Sequence, residues 1–488
     1  MKRRDPCECE PAGKKGFSRR RLFAAATAAT TGALAYRFGM TSIAHAIART
    51  TTRRFIFAYF PGGWDQILFL DPRDQTADGG RYRDDNRSTS LVEPGYAQLQ
   101  DYNSFTPQLV RLSDNMSLGP AAEKTTRMTP FRRREIFSKM AIVRGLNMAT
   151  VSHEVGYRYF LTGKFPAGNA ARGTSVATEL AAQMQAATPL PTLSLRVEAY
   201  NDRRPGNFSA VRVDSIDDLL MVLNRGVELL ERDGVEQALA EYSATEQPCS
   251  VGVFDRRGLL TRMRDANGTA ESLLTRGLAA QFQFVSDPSG ATDAIRMRNA
   301  AIRARYGFAS GDSNAPGARA ALAAIAIKEQ VAQCVSVNIG NGTDTHFTGN
   351  RGHADLLYPG IQALAALLED LAVSDAPPAL GGKWLDHTTV VAFSEFARTP
   401  LFNQFGGRDH HIASSCLLAG AGIAGDQVLG SSGETGVGVT RYDFRNRRVA
   451  PDGENIQPEH IAATLMACAG LDPSITRVEP LHALIAAS

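Results

Sequence analysis

Phe55-Ile56-Phe57-Ala58-Tyr59-Phe60-Pro61-Gly62-Gly63-Trp64-Asp65 decides how this chain is read. An unbroken apolar run that stops in Pro-Gly-Gly reads as a buried strand ending in a tight turn. Just past that turn comes a carboxylate, Asp65. The pattern then recurs. Val335 to Ile339 is followed by Asp344-Thr345-His346, and Thr388 to Phe393 by Ser394-Glu395-Phe396-Ala397-Arg398-Thr399. A fourth polar cluster, Arg408-Asp409-His410-His411, comes shortly after. In an open α/β sheet, ligands bind just outside the carboxyl ends of the strands. Three carboxylates and two or three imidazoles delivered there are the donors of a divalent metal site. Any single cluster reads equally well as helix caps and turn residues. Five of the nine histidines, His346, His353, His387, His410 and His411, fall in one short stretch, which favours a site over scatter.

Working outward, further buried strands are predicted at Met140 to Val143 and at Thr192 to Val197. Helices are predicted at Ala318 to Ala332, at Leu356 to Leu371, and from Gln457-Pro458 to Gly470, where Pro opens a helix and Gly follows it. Between about 200 and 310 the character changes: Asp217 to Leu230 and Arg257 to Val285 carry apolar residues at helical spacing, so this block reads as a helical insertion. Residues 70–105, rich in Asp, Arg, Gly, Asn and Ser, read as surface loop. Alternating strands and helices make this an α/β protein. With 43% apolar and 21% charged residues over 488 positions, it has enough material for a large core.

The N-terminus differs from the rest. Residues 1–46 carry nine Lys or Arg against Asp5, Glu8 and Glu10, so the +3 of the whole chain becomes −3 once this stretch is set aside. The basic balance belongs to the leader and gives no reason to expect a nucleic-acid partner. Ser18-Arg19-Arg20-Arg21-Leu22-Phe23 runs into an Ala/Thr-rich stretch ending near Ala35, the form of a twin-arginine export signal. That stretch is far short of the ~20 residues a membrane span needs. Ala44-His45-Ala46 supplies a cleavage site, and Ala46-Ile47-Ala48 a second; the alternative is an uncleaved N-terminal anchor. The expected division is a signal peptide over 1–46 and one large domain over 47–488. Cys249, Cys334, Cys416 and Cys468 are widely spaced with no C-x-x-C, and read as small buried apolar residues.

Taken in order, the leader, Pro61-Gly62-Gly63-Trp64-Asp65, Ser152-His153, Asp344-Thr345-His346, Ser394 to Thr399 and Gly407-Arg408-Asp409-His410 resemble the exported family labelled domain of unknown function 1501. Ala462-Ala463-Thr464-Leu465 and Gly470-Leu471-Asp472-Pro473 fit its closing segment. That family is grouped with the alkaline phosphatase/sulfatase superfamily. The resemblance implies a three-layer sandwich of alkaline-phosphatase type, with a central, mostly parallel sheet and the helical insertion near 200–310. It also implies divalent metal ions (zinc, with magnesium or manganese) flanking a nucleophile. Carried over, Asp65, Asp344, His346, Glu395, Asp409 and His410 are the metal ligands. Ser152 takes the nucleophile position with His153 beside it, and Arg398 faces the open side to meet an anion. Ser152 also reads as a cap of the helix opened by Glu154. His353 reads as a metal ligand or, preferably, as a helix-start residue; His387, His460 and His482 as surface.

The sequence departs from the superfamily pattern in two places. Where an Asp-His pair is usual stands Glu395-Phe396, which removes one imidazole. No Cys-x-Pro-Ser-Arg occurs, so the formylglycine nucleophile of sulfatases is absent. The implied activity is hydrolysis of a phosphate or sulfate ester on a small molecule or glycan, in the periplasm or outside the cell, after passage through the twin-arginine translocase. The alternative is an inactive relative that binds an anionic ligand or surface. No stable membrane span is expected. Export by this route predicts that replacing Arg19 and Arg20 by Lys leaves the protein in the cytoplasm. Fractionation of expressing cells checks this; unchanged export would assign the leader to the general secretory route.

Overall fold

The computed structural model describes residues 53–186, 188–223 and 278–486. The leader, Cys249, and most of the helices expected at Asp217 to Leu230 and Arg257 to Val285 lie outside these residues.

Eight strands form one sheet: β1 (Arg54–Tyr59), β2 (Met140–Asn147), β3 (Leu190–Leu195), β4 (Val211–Val213), β5 (Ala332–Asn338), β6 (Thr388–Phe393), β7 (Ala413–Gly420) and β8 (Gln427–Gly430). Their order is β8-β2-β7-β6-β1-β5-β3-β4. Only β7 runs antiparallel to its neighbours; every other pairing is parallel. All six residues of the central strand β1 are buried. Its alternate side chains enter two separate cores, Ile56 and Ala58 on one face, Phe55, Phe57 and Tyr59 on the other. A fully buried Phe or Ile contributes about 1.5–3 kcal/mol, so a strand buried on both faces is a natural centre for the sheet.

Helices cover both faces, giving three layers. α1 (His153–Thr162), α2 (Val176–Gln183) and, near the C-terminus, Pro458–Cys468 belong to the Phe55 side. The Ile56 side is covered by Pro316–Lys328 and the long helix Asn350–Val373. Among the described residues the 24-residue helix Asn350–Val373 is apolar and long enough to cross a membrane, but 72% of that window is buried within the fold. Gly360 lets it approach the strand exits: a Cβ there would lie 2.7 Å from Phe60 Cε1 and 3.1 Å from Gly340 Cα.

Two registers position the site. Tyr59 pairs with Asn338 of β5 and with Phe393 of β6, so three parallel strands end level and release their loops at one edge. At its start, Ala413 of β7 pairs with Asn147, the last residue of β2. The antiparallel strand therefore begins where the others end, which brings the preceding Arg408 to His411 loop to the same edge.

Three expectations are corrected here. The interval 200–310 is not all helix, because Val211–Val213 is an edge strand of the sheet. Residues 70–105 are not a plain surface loop: Asp71, Arg73, Tyr96, Leu99 and Phe105 are buried. There Arg73 pairs with Asp71 at 2.6 Å and the Tyr96 hydroxyl donates to Ile67 O at 3.0 Å, so polar composition concealed a buried ion pair. His460 is not at the surface but 4% exposed, in the first turn of its helix. Cys334, Cys416 and Cys468 are buried free thiols, as expected.

His460 makes the fold sensitive to acid. Burial pushes its pKa down to about 4, and its Nδ1 accepts the Gln457 N–H at 3.1 Å, so the folded chain holds it neutral. The unfolded chain takes up a proton near pH ~6.5. Stability from this group is therefore complete above that value and lost as pH falls towards 4, on the order of 2–3 kcal/mol. His460→Asn, which keeps an acceptor, should lose less stability than wild type between neutral pH and pH ~4.5. Urea midpoints at the two pH values check this, and equal losses would clear His460 of any part in it.

Candidate metal centre

The loop after β1 is pressed between the loops after β5 and β6, and two glycines permit it. Gly62 (φ 97°) and Gly63 (φ 71°) both lie in the left-handed region. A Cβ on Gly62 would stand 2.4 Å from Thr343 N and 2.6 Å from Asp344 N, and one on Gly63 2.4 Å from the Phe396 ring. The Gly62 N–H donates to Glu395 Oε1 at 2.7 Å, and the Arg398 Nε–H donates to Gly63 O at 2.9 Å.

Three imidazoles converge above these loops, each fixed from behind. His153 Nδ1 lies 2.7 Å from Glu395 Oε1. Glu395 already accepts from Gly62 N–H and, at 3.1 Å, from the Tyr59 hydroxyl, so it is an acceptor for His153 too. Through this hydrogen bond Glu395 raises the His153 pKa. His346 Nδ1 lies 2.7 Å from Asp409 Oδ1, whose pKa that same contact lowers. His410 Nδ1 lies 2.7 Å from the Val151 carbonyl, which can only accept. Each Nδ1 therefore carries a proton, and in the neutral ring each Nε2 presents a bare lone pair.

Those lone pairs face one carboxylate. His346 Nε2 and His410 Nε2 lie 3.1 Å and 3.2 Å from Asp344 Oδ1, and His153 Nε2 lies 3.5 Å from Oδ2. The Nε2 atoms of His346 and His410 are 3.0 Å apart. Burial opposes ionisation of Asp344, but the hydrogen bond and the charge of Arg398 hold its pKa down at about 2. Arg398 gives Asp344 Oδ1 one positive partner at 2.6 Å, but the imidazole lone pairs that face this carboxylate still repel it and one another unless a further cation sits among them. Nitrogen and oxygen ligands of a tetrahedral zinc ion, bound at about 2.0–2.2 Å, stand roughly 3.3 Å apart; the separations around Asp344 are close to that, while His346 falls outside the set whose ligand atoms all lie near one another. The orienting acceptors behind each imidazole are the usual outer shell of metal-binding histidines. Among the described residues, His153, Asp344 and His410 are the group whose ligand atoms all lie within 4.8 Å of one another; His346 touches two of the three.

Of the residues expected from sequence, the structure gathers Asp344, His346, His410 and His153 into this cluster. Glu395 and Asp409 stand directly behind it, against the imidazoles. Asp65 stands apart. It is fully buried, its Oδ1 accepts from the N–H groups of Ile67 (2.9 Å) and Leu68 (3.3 Å), and its Oδ2 is 2.9 Å from Arg408 Nε. That last pair is close enough for ion attraction but misaligned for a hydrogen bond. Arg398 does not face the open side. Its guanidinium is wholly buried, bonded to the carbonyls of Gly62, Gly63 and Arg408 and to Asp344 at 2.6 Å. Ser152 holds the helix-capping position of α1 without a capping hydrogen bond, and its hydroxyl reaches Glu154 at 3.3 Å.

Some supporting residues carried a different sequence signal or none. His353 does lie in the first turn of its helix, but it is buried and accepts the Asp65 N–H at 3.0 Å through Nε2. Its Nδ1–H is left to donate to the Thr345 hydroxyl, and burial lowers its pKa to about 4. It thus ties the Asp65 turn to the Asp344 loop. Asn403 donates to Asp409 Oδ1 at 3.1 Å and to His346 O at 2.9 Å. Tyr59, which reads as one more apolar strand residue, supplies a donor to Glu395.

A sequence model of the family described as "Protein of unknown function (DUF1501)" matches residues 52–472. The chain belongs to that family. The match begins just before β1 and runs past the last helix, so every residue of the cluster lies inside the family's own extent. No curated protein matches the chain.

The close approach at Gly62 yields a prediction. Gly62→Ala combines left-handed strain with a backbone clash and should cost roughly 2 kcal/mol or more. Gly79 (φ 67°) shares the left-handed backbone, but a Cβ on it would meet nothing within 4 Å, so Gly79→Ala should cost only about 1 kcal/mol. Denaturant midpoints of the two variants test this; equal losses would mean that the loop contact imposes nothing.

Proposed function

We propose that this protein is an exported, metal-dependent hydrolase of a phosphate or sulfate ester, of alkaline phosphatase/sulfatase type. The observation that carries the reading is the convergence of three Nε2 lone pairs on the Asp344 carboxylate at a strand-end edge. A level, mostly parallel sheet exit is where such a fold holds its chemistry. His153, His346, His410 and Asp344 would hold the ion, zinc first, with magnesium or manganese as alternatives. Glu395, Asp409 and the Val151 carbonyl keep each ring turned so that Nε2 faces inward. When bound, a divalent ion supplies positive charge to polarise an ester oxygen and to lower the pKa of an attacking hydroxyl or water. Ser152, next to His153, is the candidate nucleophile; with only Glu154 against its hydroxyl, it depends on such activation. Exposed Phe347 and Phe405, with ring centroids 5.1 Å apart beside His346, offer an apolar rim for the rest of the substrate. Passage through the twin-arginine translocase, which carries folded proteins, suits a site assembled before export.

A second reading is binding without turnover. It is favoured by Arg398 being buried, its guanidinium spent on backbone carbonyls and Asp344, and by the Ser152 hydroxyl bonding to Glu154, so that neither is free to meet an ester.

Metal analysis of protein from its native compartment should find about one ion per chain. Asp344→Ala and His410→Ala should lose most of it while keeping the fold. Glu395→Gln should weaken metal affinity about 10- to 100-fold through the outer shell. Turnover of aryl phosphate or aryl sulfate should vanish with a chelator and return with zinc. Failure to bind zinc, magnesium or manganese in excess sinks the hydrolase proposal; metal without turnover of any ester selects the binding reading.

A further inference from the structure

A second cleft, of about 730 Å³, opens at the same sheet edge but on the β3–β4 side. Its walls include Arg196, Arg212, Arg319, Asn314, Asn338 and Tyr157. Tyr59 also lines it and separates it from the cluster above, since the Tyr59 hydroxyl donates to Glu395.

Arg319 makes this cleft unusual. It is 5% exposed, in the first turn of the helix Pro316–Lys328. Its Nη2–H donates to Gly340 O at 3.0 Å, while its Nε–H has no partner. Among the described residues no carboxylate pairs with it. Asp312 acts on it without forming a salt bridge, so burial together with nearby Arg196 still lowers its pKa to about 10; a buried cation so weakly paired costs several kcal/mol. Arg196 holds a left-handed backbone (φ 54°) immediately after β3, and its Nη1–H donates to Asn314 Oδ1 at 3.3 Å. A non-glycine residue kept in that region costs about 1–2 kcal/mol, and such strain gathers at ligand sites. Two carboxylates also line the cleft. Glu198 pairs with Arg158 at 3.0 Å and also acts on Arg212, while Asp214 is exposed. Asn338 Oδ1 is a buried acceptor without a donor.

We infer that this cleft is a second ligand site, which takes an oxyanion (carboxylate, sulfate or phosphate) carried on a hydroxylated, sugar-sized molecule. The oxyanion supplies the missing partner of Arg319 and bridges to Arg196 and Arg212. A ligand hydroxyl donates to Asn338 Oδ1. The volume lies within the ~300–1,000 Å³ of small-molecule sites. None of this depends on a metal ion.

The test is calorimetric titration of the full protein, before and after chelation, with inorganic sulfate, inorganic phosphate and glucuronate at fixed ionic strength. At least one probe should bind saturably and survive chelation. Arg212→Gln and Arg196→Gln should each weaken it about 5- to 10-fold. Anion-induced rise in thermal stability should be present in wild type and absent in Arg319→Gln, which should itself fold at least as stably without anion. Glucuronate binding more tightly than both inorganic ions identifies a carboxylate sugar; the reverse order identifies sulfate or phosphate as the recognised group. Binding of none of the three, or binding indifferent to Arg196 and Arg212, overturns the inference. Binding lost on chelation also overturns it, while placing the anion at the metal centre and leaving the hydrolase proposal intact.

Discussion

Glu395 is the knot of this site. Its carboxylate, almost without solvent contact, receives the Gly62 amide, the Tyr59 hydroxyl and the His153 imidazole. Those three donors come from the loop after β1, from β1 itself and from α1. One side chain after β6 thus fixes the height of the neighbouring loop and the rotation of an imidazole in the cluster. A buried carboxylate is tolerated only when its lone pairs are filled, so every donor is under pressure to stay in place. Arg398 works from the other side, clamping the Gly62 and Gly63 carbonyls and Asp344. Loops that would move freely on a surface are held from beneath by a buried acid and a buried base.

Much of the frame was legible because β1 is an apolar run from Phe55 and β5 and β6 are largely apolar, each followed by a polar turn. An amino-acid pattern of that kind has one stable setting, a strand covered on both faces with its loop at the edge. β4 and β8 were not legible: three or four half-buried residues at a sheet edge carry too little periodicity to stand out. β7 escaped for a different reason. Ala413-Ser414-Ser415-Cys416 has small polar residues in a fully buried strand, and composition does not announce burial of that sort. The candidate ligands separated along the same line. Asp344, His346 and His410 were legible as donors after strands, whereas the difference between Asp344 at the opening and Asp65 beneath it depends on which carboxylate meets Arg408. That is tertiary information. Arg398 illustrates the same limit, since an arginine at a strand end reads as a surface cation until the carbonyls that receive it are known.

The two basic environments at this edge differ in a way that matters for ligands. Arg398 is filled by backbone carbonyls and Asp344, and Arg408 bonds backbone carbonyls through both terminal nitrogens with Asp65 beside its Nε, so their charge shapes the protein itself. Arg319 has a single carbonyl contact and an unfilled Nε–H, so its charge is available to something else. Burial alone does not distinguish these roles; the count of filled donors does.

The antiparallel strand has a consequence for how the molecule comes into being. Because β7 starts at the edge where β1, β2, β5 and β6 end, the cluster draws on segments spread across most of the chain. The Gly62–Glu395 bond joins positions 333 apart, and the contact between His153 and Glu395 spans 242. Closing loops of that size precedes any reward from the contacts they make. During synthesis, neither neighbour of the central strand yet exists when β1 emerges, and the opening among His153, Asp344 and His410 is absent until the last third of the polypeptide has been made. An ion meeting the nascent chain finds scattered side chains rather than a socket, so whatever this centre holds is acquired by a nearly finished protein.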